Sequence, residues 1–232
     1  MPGDLYDRQR EIGLSLPTGV TIAGVGGIGS WVAILSAMSG VPNLYLFDPD
    51  VMKESNRNRL PFCQGSLNQP KVEVVRNYIL AIRPEAIVVA IPEKLEGTLL
   101  QIQLSVSNFI IDCTDSPKAQ FTIYNACKQQ GMNFIRAGYD GTHITVTSNV
   151  SGWIKTDVEE EDYTVRPSWV VPAVTVAALA VGKMLKYFNQ EVSLGIEDIG
   201  IPVLRRKKRL TASCVSPEAM RTGTYQRRRG RR

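Results

Sequence analysis

The chain has 232 residues, is 44% hydrophobic and 21% charged, and carries a net charge of +5. No apolar run reaches the ~18 residues of a membrane span, and Met1-Pro2-Gly3-Asp4 lacks the basic-then-apolar pattern of a signal peptide, so the expectation is a soluble, cytoplasmic protein with no membrane partner. Four scattered cysteines, Cys63, Cys113, Cys127 and Cys214, with no C-x-x-C pair, predict reduced thiols and no structural zinc.

The first predicted strand, over 19–24, breaks into Gly24, Gly26, Gly27 and Gly29 and resumes as an apolar helix over 28–39. Glycines suit a tight turn whose backbone must approach phosphate oxygens, with the new helix N-terminus facing the anion. The next strand, over 43–48, ends on an acid 19 residues past Gly29, at Asp48-Pro49-Asp50. A carboxylate there can accept both hydroxyls of a ribose. Asp50 is left between a ligand-binding role and a cap on the following turn. Next comes Ser55-Asn56-Arg57-Asn58-Arg59, then a helix over 70–82 with Pro70 in its first turn and Lys71 beside it. Clustered cations and amides near a glycine turn suit a triphosphate better than a dinucleotide. Arg57 and Asn58 alternate with these binders and are expected to face solvent.

A strand over 86–91, a helix over 95–105 and a strand over 108–112 lead to Asp112-Cys113-Thr114-Asp115-Ser116, where Asp115 is a candidate for holding Mg²⁺. A helix over 117–130 closes this alternating run, which predicts a doubly wound, mostly parallel α/β sheet. From Phe134 the pattern changes to short strands at 133–138, 142–149 and 152–156 joined by short turns, which predicts antiparallel strands at the C-terminal end of the sheet. His143, the single histidine, lies in one of them with no ligand partner in sight and is expected to be structural. An acidic loop, Asp157 to Asp162, precedes a buried Ala/Val-rich helix from Trp169 to Phe188. Residues 204–232 hold 11 Lys/Arg and only Glu218 as an acid, a +10 tail on a body of −5. The tail is expected to be flexible, or to bind nucleic acid or an acidic partner. The domain division expected is therefore 1–203 and 204–232.

In sequence order, Tyr6-Asp7-Arg8-Gln9, the glycine turn, Asp48-x-Asp50, Ser55-Asn56-x-Asn58-Arg59, Pro70-Lys71 and Asp112-Cys-Thr-Asp115-Ser116 resemble the ThiF/MoeB/HesA group, whose Rossmann-like fold is shared with ubiquitin-activating, E1-like enzymes. The resemblance implies an ATP-dependent adenylyltransferase. It would use Mg-ATP to activate the C-terminal carboxylate of a small β-grasp carrier protein ending in Gly-Gly, as a homodimer. It further implies that Asp48 holds the ribose and that Asn56, Arg59 and Lys71 grip the triphosphate. Asp115 would position Mg²⁺, and Arg8 would reach the phosphates, often those of a partner subunit.

Two departures qualify this. Leu60-Pro61 follows Arg59, where many members carry a glutamine. Members that form a thioester or persulfide place a cysteine before the last long helix, and none stands between Cys127 and Cys214. The expectation is adenylation without covalent transfer on this chain. Among alternatives, GVGGIGSW at Gly24–Trp31 is similar to the tRNA threonylcarbamoyladenosine dehydratases, and a basic tail would suit RNA. A non-catalytic nucleotide-binding scaffold would not need the full polar set. A nicotinamide dehydrogenase would need a proton-transfer residue that is not evident.

Overall fold

Strand β1 (Gly19–Ala23) is buried along its whole length, as a central parallel strand must be when helices cover both faces. The computed structural model of the chain describes residues 5–60, 64–139, 143–151 and 168–195. Around β1 stand β2 (Asn43–Phe47), β3 (Ile87–Ile91), β4 (Phe109–Asp112), β5 (Asn133–Tyr139), β6 (His143–Thr147) and β7 (Val192–Gly195), one sheet in the order β3-β2-β1-β4-β5-β6-β7. The first five are mutually parallel, and β6 and β7 add antiparallel. The expected Rossmann-like doubly wound sheet with C-terminal antiparallel strands is therefore present.

One face of the sheet, through Val20, Ile22, Leu44, Leu46 and Ile111, packs under α1 (Gly27–Met38), α2 (Lys71–Ile82) and α5 (Val170–Met184). The other, through Phe47, Ile110 and Phe134, lies under α3 (Gly97–Val106) and α4 (Pro117–Gln130). Each such fully buried aliphatic side chain contributes about 1.5–3 kcal/mol from area removed from water. The order reverses beside β1, between β2 and β4, which opens a crevice beyond the carboxyl ends of these strands.

Three expectations change. The last long helix ends at Met184, not Phe188: Lys186 takes φ +58 and the Phe188 ring folds back so that a Cβ on Gly182 would meet it at 2.8 Å. Strand β7 is an addition to the predicted elements, and three short 3-10 helices, Asp7–Ile12, Glu54–Asn56 and Gln64–Ser66, occupy segments to which the sequence assigns no element. The expected strand at 152–156, the acidic loop and the basic tail lie outside the described residues.

Candidate functional site

The turn between β1 and α1 is built by contacts that only glycine permits. Gly24 has φ +82 and donates its N–H to the Phe47 carbonyl at 2.8 Å; a Cβ there would lie 3.1 Å from the Cys113 carbonyl. A Cβ on Gly29 would lie 1.8 Å from the Gly24 oxygen, so the turn cannot close over any larger residue. Gly26 differs. As the N-cap of α1 it carries no side-chain cap, and a Cβ there would meet no described atom within 4 Å. Packing among the described residues does not account for this glycine, and the uncapped N–H groups beside it are oriented for an anion.

Asp48, buried at the end of β2, stitches that turn together. Its Oδ2 accepts the Val25 N–H at 2.7 Å and its Oδ1 accepts the Asp50 N–H at 2.8 Å. Burial raises its pKa above the usual carboxylate value, an effect partly offset by Lys71. Lys71, itself buried at the start of α2, has its Nζ 2.7 Å from Asp50 and 3.8 Å from Asp48. The hydrogen bond from Lys71 holds the Asp50 carboxyl below its ordinary value. Backbone pairing brings them together: Val51 bridges Pro70, and the Lys71 N–H donates to the Asp50 carbonyl at 3.0 Å. Asp48, not Asp50, therefore caps the turn, while Asp50 holds the lysine.

The 54–60 segment is fixed under Met52, Leu60 and Val74. Asn56 is buried and its side-chain carbonyl accepts the Lys53 N–H at 2.9 Å. Arg59 lies across the start of α1, so close that a Cβ on Gly27 would reach its Cδ at 2.8 Å and its Nε at 3.2 Å. Its Nη1 donates to the Ser55 carbonyl and to Asn58 Oδ1. Arg57 is exposed and pairs with Glu54, as expected of a solvent-facing position. Asn58 is exposed but not idle, since its amide donates to the Ser168 carbonyl at 2.9 Å. The sequence reading missed Trp31, whose indole N–H donates to the Arg59 carbonyl at 2.9 Å. The only signal was its position one turn beyond Gly27.

At the end of β4, Asp112 is fully buried; Oδ1 accepts from the Thr114 N–H and hydroxyl, and Oδ2 lies 3.5 Å from Arg136 of β5. Burial raises the Asp112 pKa against the opposing effect of Arg136. This pair was also missed, because its members stand 24 residues apart. Asp115 is exposed on the loop just before α4, which Ser116 caps by accepting the Ala119 N–H. Burial pushes both described thiols up, that of Cys113 strongly and that of Cys127 to about 12, so neither is a thiolate near neutrality. Cys63 and Cys214 lie outside the described residues. His143 is exposed at the start of β6.

Arg8 is not brought to this crevice. Its 3-10 helix is fastened to the far end of α1, where Gln9 donates to the Ser39 carbonyl at 2.8 Å and Tyr6 packs against Gly40 and lies 5.1 Å from the Arg83 guanidinium. The 12 residues of α1 separate Arg8 from the glycine turn by about 18 Å, beyond the reach of an arginine side chain. Gly24, Gly26, Gly27, Gly29, Asp48, Asp50, Asn56, Arg59, Lys71 and Asp115 thus sit on the turns that leave β1, β2 and β4 and at the start of α2, and Arg8 stands apart.

The ThiF family model matches residues 15–215 of the chain. The chain belongs to the ThiF family. It is 32% identical over 124 residues to the tRNA threonylcarbamoyladenosine dehydratase of Haemophilus influenzae, covering 53% of this chain and 48% of that protein. It is 29% identical over 145 residues to the sulfur carrier protein ThiS adenylyltransferase of Escherichia coli, covering 61% of this chain and 57% of that one. This ThiF-family chain therefore spans about half the length of those two relatives. The crystal structure of E. coli MccB with AMPCPP and MccA shares its fold, with a TM-score of 0.66 over 84% of this chain and 69% of that one at 18% identity.

Proposed function

We propose that the chain binds Mg-ATP in the crevice beyond β1, β2 and β4 and adenylates the C-terminal carboxylate of a small β-grasp carrier protein ending in Gly-Gly, releasing pyrophosphate. The observation that carries this reading is the gathering of Lys71, Arg59 and the uncapped helix at Gly26 about one glycine turn, to which Asp48 is hydrogen-bonded through Val25 and which Lys71 approaches through Asp48; in this reading Asp48 takes the ribose. Gly26 fits a phosphate group, because the space its missing side chain leaves is open. Attack of a carboxylate on the α-phosphate brings negative groups together, and Arg59 and Lys71 offset that repulsion. No general base is needed, since the attacking carboxylate is ionised at neutral pH.

Bound Mg²⁺ would neutralise phosphate charge in this chemistry. Asp115, with nucleotide oxygens and waters, fits the sparse carboxylate set that Mg²⁺ takes, and among the described residues no cluster of three or more His, Cys, Asp or Glu side chains competes for it. Arg8 acts, in this reading, on the site of a second copy, because its own site is out of reach. The protonated thiols of Cys113 and Cys127 favour adenylation without a thioester on the described chain. The E. coli relative named for ThiS adenylylation supports the carrier class. The test is mass spectrometry of a Gly-Gly-ended carrier after incubation with the chain, ATP and Mg²⁺. An acyl-adenylate is expected, whereas binding of NAD with no binding of ATP would overturn the reading.

A second reading rests on the 32% identity to the tRNA threonylcarbamoyladenosine dehydratase and on the +10 tail, whose phosphate contacts would make binding salt-sensitive. The carboxylate activated would then be carried on tRNA. Deleting 204–232 should abolish salt-sensitive tRNA binding while leaving ATP binding intact. Unchanged tRNA binding by the shortened chain removes this reading.

A further inference from the structure

Trp31 lies on α1, one turn past Gly27, and neither the glycine motif nor the cation cluster contains it. Its indole N–H donates to the Arg59 carbonyl at 2.9 Å. Arg59 is the residue whose Cδ, Cγ and Nε crowd the missing Cβ of Gly27, at 2.8, 3.2 and 3.2 Å. The backbone at Arg59 is thus tied to the same helix whose N-terminus the Arg59 side chain crosses. The guanidinium is steadied from its other end by Ser55 and Asn58, and Asn58 is itself anchored on Ser168 just ahead of α5. Every one of these supports except the indole bond lies within the 55–59 turn or pulls towards α5. Among the described residues, the Trp31 bond is the one hydrogen bond that ties the turn to α1.

We propose that Trp31 is a positioning residue for the anion site: by holding the Arg59 carbonyl it keeps the Arg59 side chain across Gly27, with its Nε beside the helix N-terminus that receives phosphate. This rests on the nucleotide reading above. A phenylalanine fills most of the same volume but cannot donate, so the 55–60 turn would gain freedom and the arginine would sample positions off the turn. Losing one such neutral hydrogen bond predicts a fall of about three- to tenfold in ATP affinity. Because the effect passes through Arg59, it should vanish where Arg59 is already gone.

Calorimetric titration of ATP with Mg²⁺ into the full chain, W31F, R59A and W31F/R59A provides the test, with W31L as a second variant without a donor should W31F fail to fold and melting curves recorded for all. The expected result is weaker ATP binding in W31F and no additional loss when W31F is added to R59A. Affinity equal to the parent in W31F, or an equal loss with and without Arg59, overturns the proposal, the latter because it marks a purely structural role. If the unaltered chain binds no ATP, the nucleotide reading falls and this one with it. If the parent binds and W31F is unaffected, only this proposal falls.

Discussion

Gly26 and Gly29 have different reasons for being glycine, and substitution separates them. A methyl on Gly29 collides with the Gly24 oxygen, so Gly29→Ala must distort the turn and should lower thermal stability as well as ATP affinity. Gly26→Ala meets no described atom and should leave the melting temperature within about a degree or two of the parent while weakening ATP binding, since surface changes of this kind usually stay within ±0.5 kcal/mol. Differential scanning fluorimetry beside an ATP titration checks both. A G26A protein that binds ATP normally would show that no ligand needs that space. Arg136 gives a pH-dependent expectation. Arg136→Ala leaves Asp112 buried without its counter-charge and should cost about 3–5 kcal/mol near neutrality. The Asp112 pKa is already raised in the folded state by burial and rises further without Arg136, so the folded protein takes up the proton first and the cost shrinks as pH falls towards that raised value. Urea unfolding of parent and variant at pH 7 and pH 5 should show the gap narrowing; a gap that widens on acidification would contradict it. Asp50 behaves oppositely. Its lowered pKa means that the link to Lys71 stabilises above the unfolded-state value and is lost as pH falls through the folded-state one, by a modest amount because Asp50 is exposed.

Among the elements, α5 packs along α1 as well as on β5 and β6. Ala177 and Ala180 are fully buried in that contact, together with Val176 and Val181. Ala177→Leu should overpack it and cost about 1–3 kcal/mol, read as a lower urea midpoint with an unchanged slope; no change in midpoint would mean that α5 has room to shift. The parallel strands and covering helices were legible in the sequence because a strand buried on both faces reads as a mostly apolar run, as Val20–Ala23 does but for Thr21 and Phe109–Ile111 does throughout. Strand β7 was not, because Val192–Gly195 alternates apolar and polar over only four residues and exists as a partner for β6. The end of α5 was hidden too, since the apolar pattern runs on through Tyr187 and Phe188 while a left-handed Lys186 turns the chain back. At the site, the glycines, Asp48, Arg59 and Lys71 announced themselves by residue type and order. The bonds of Trp31 and Arg136 depend on tertiary proximity, which spacing alone does not encode.

On the scale of the whole molecule, the distance between Arg8 and the glycine turn means that one copy does not hold every residue of the proposed site. If Arg8 serves a second copy, chains carrying Arg8→Ala and chains carrying Lys71→Ala should each be inactive alone and should regain activity when mixed. A dimer pairing one copy of each keeps one site with both residues intact, so roughly a quarter of parental activity is expected from random pairing of equal amounts. No recovery on mixing, with dimers present by sedimentation, would contradict a shared site. The mildly acidic body and strongly basic tail divide the molecule by charge, and the polyanion expectation belongs to the tail alone. The most direct measurement of the account is carrier-dependent exchange of labelled pyrophosphate into ATP by the full chain with Mg²⁺. The account predicts exchange that requires a Gly-Gly-ended carrier, is lost in Lys71→Ala and falls in Arg59→Ala. Exchange at parental rate in both variants, or none with any carboxylate-bearing carrier or tRNA, would contradict it.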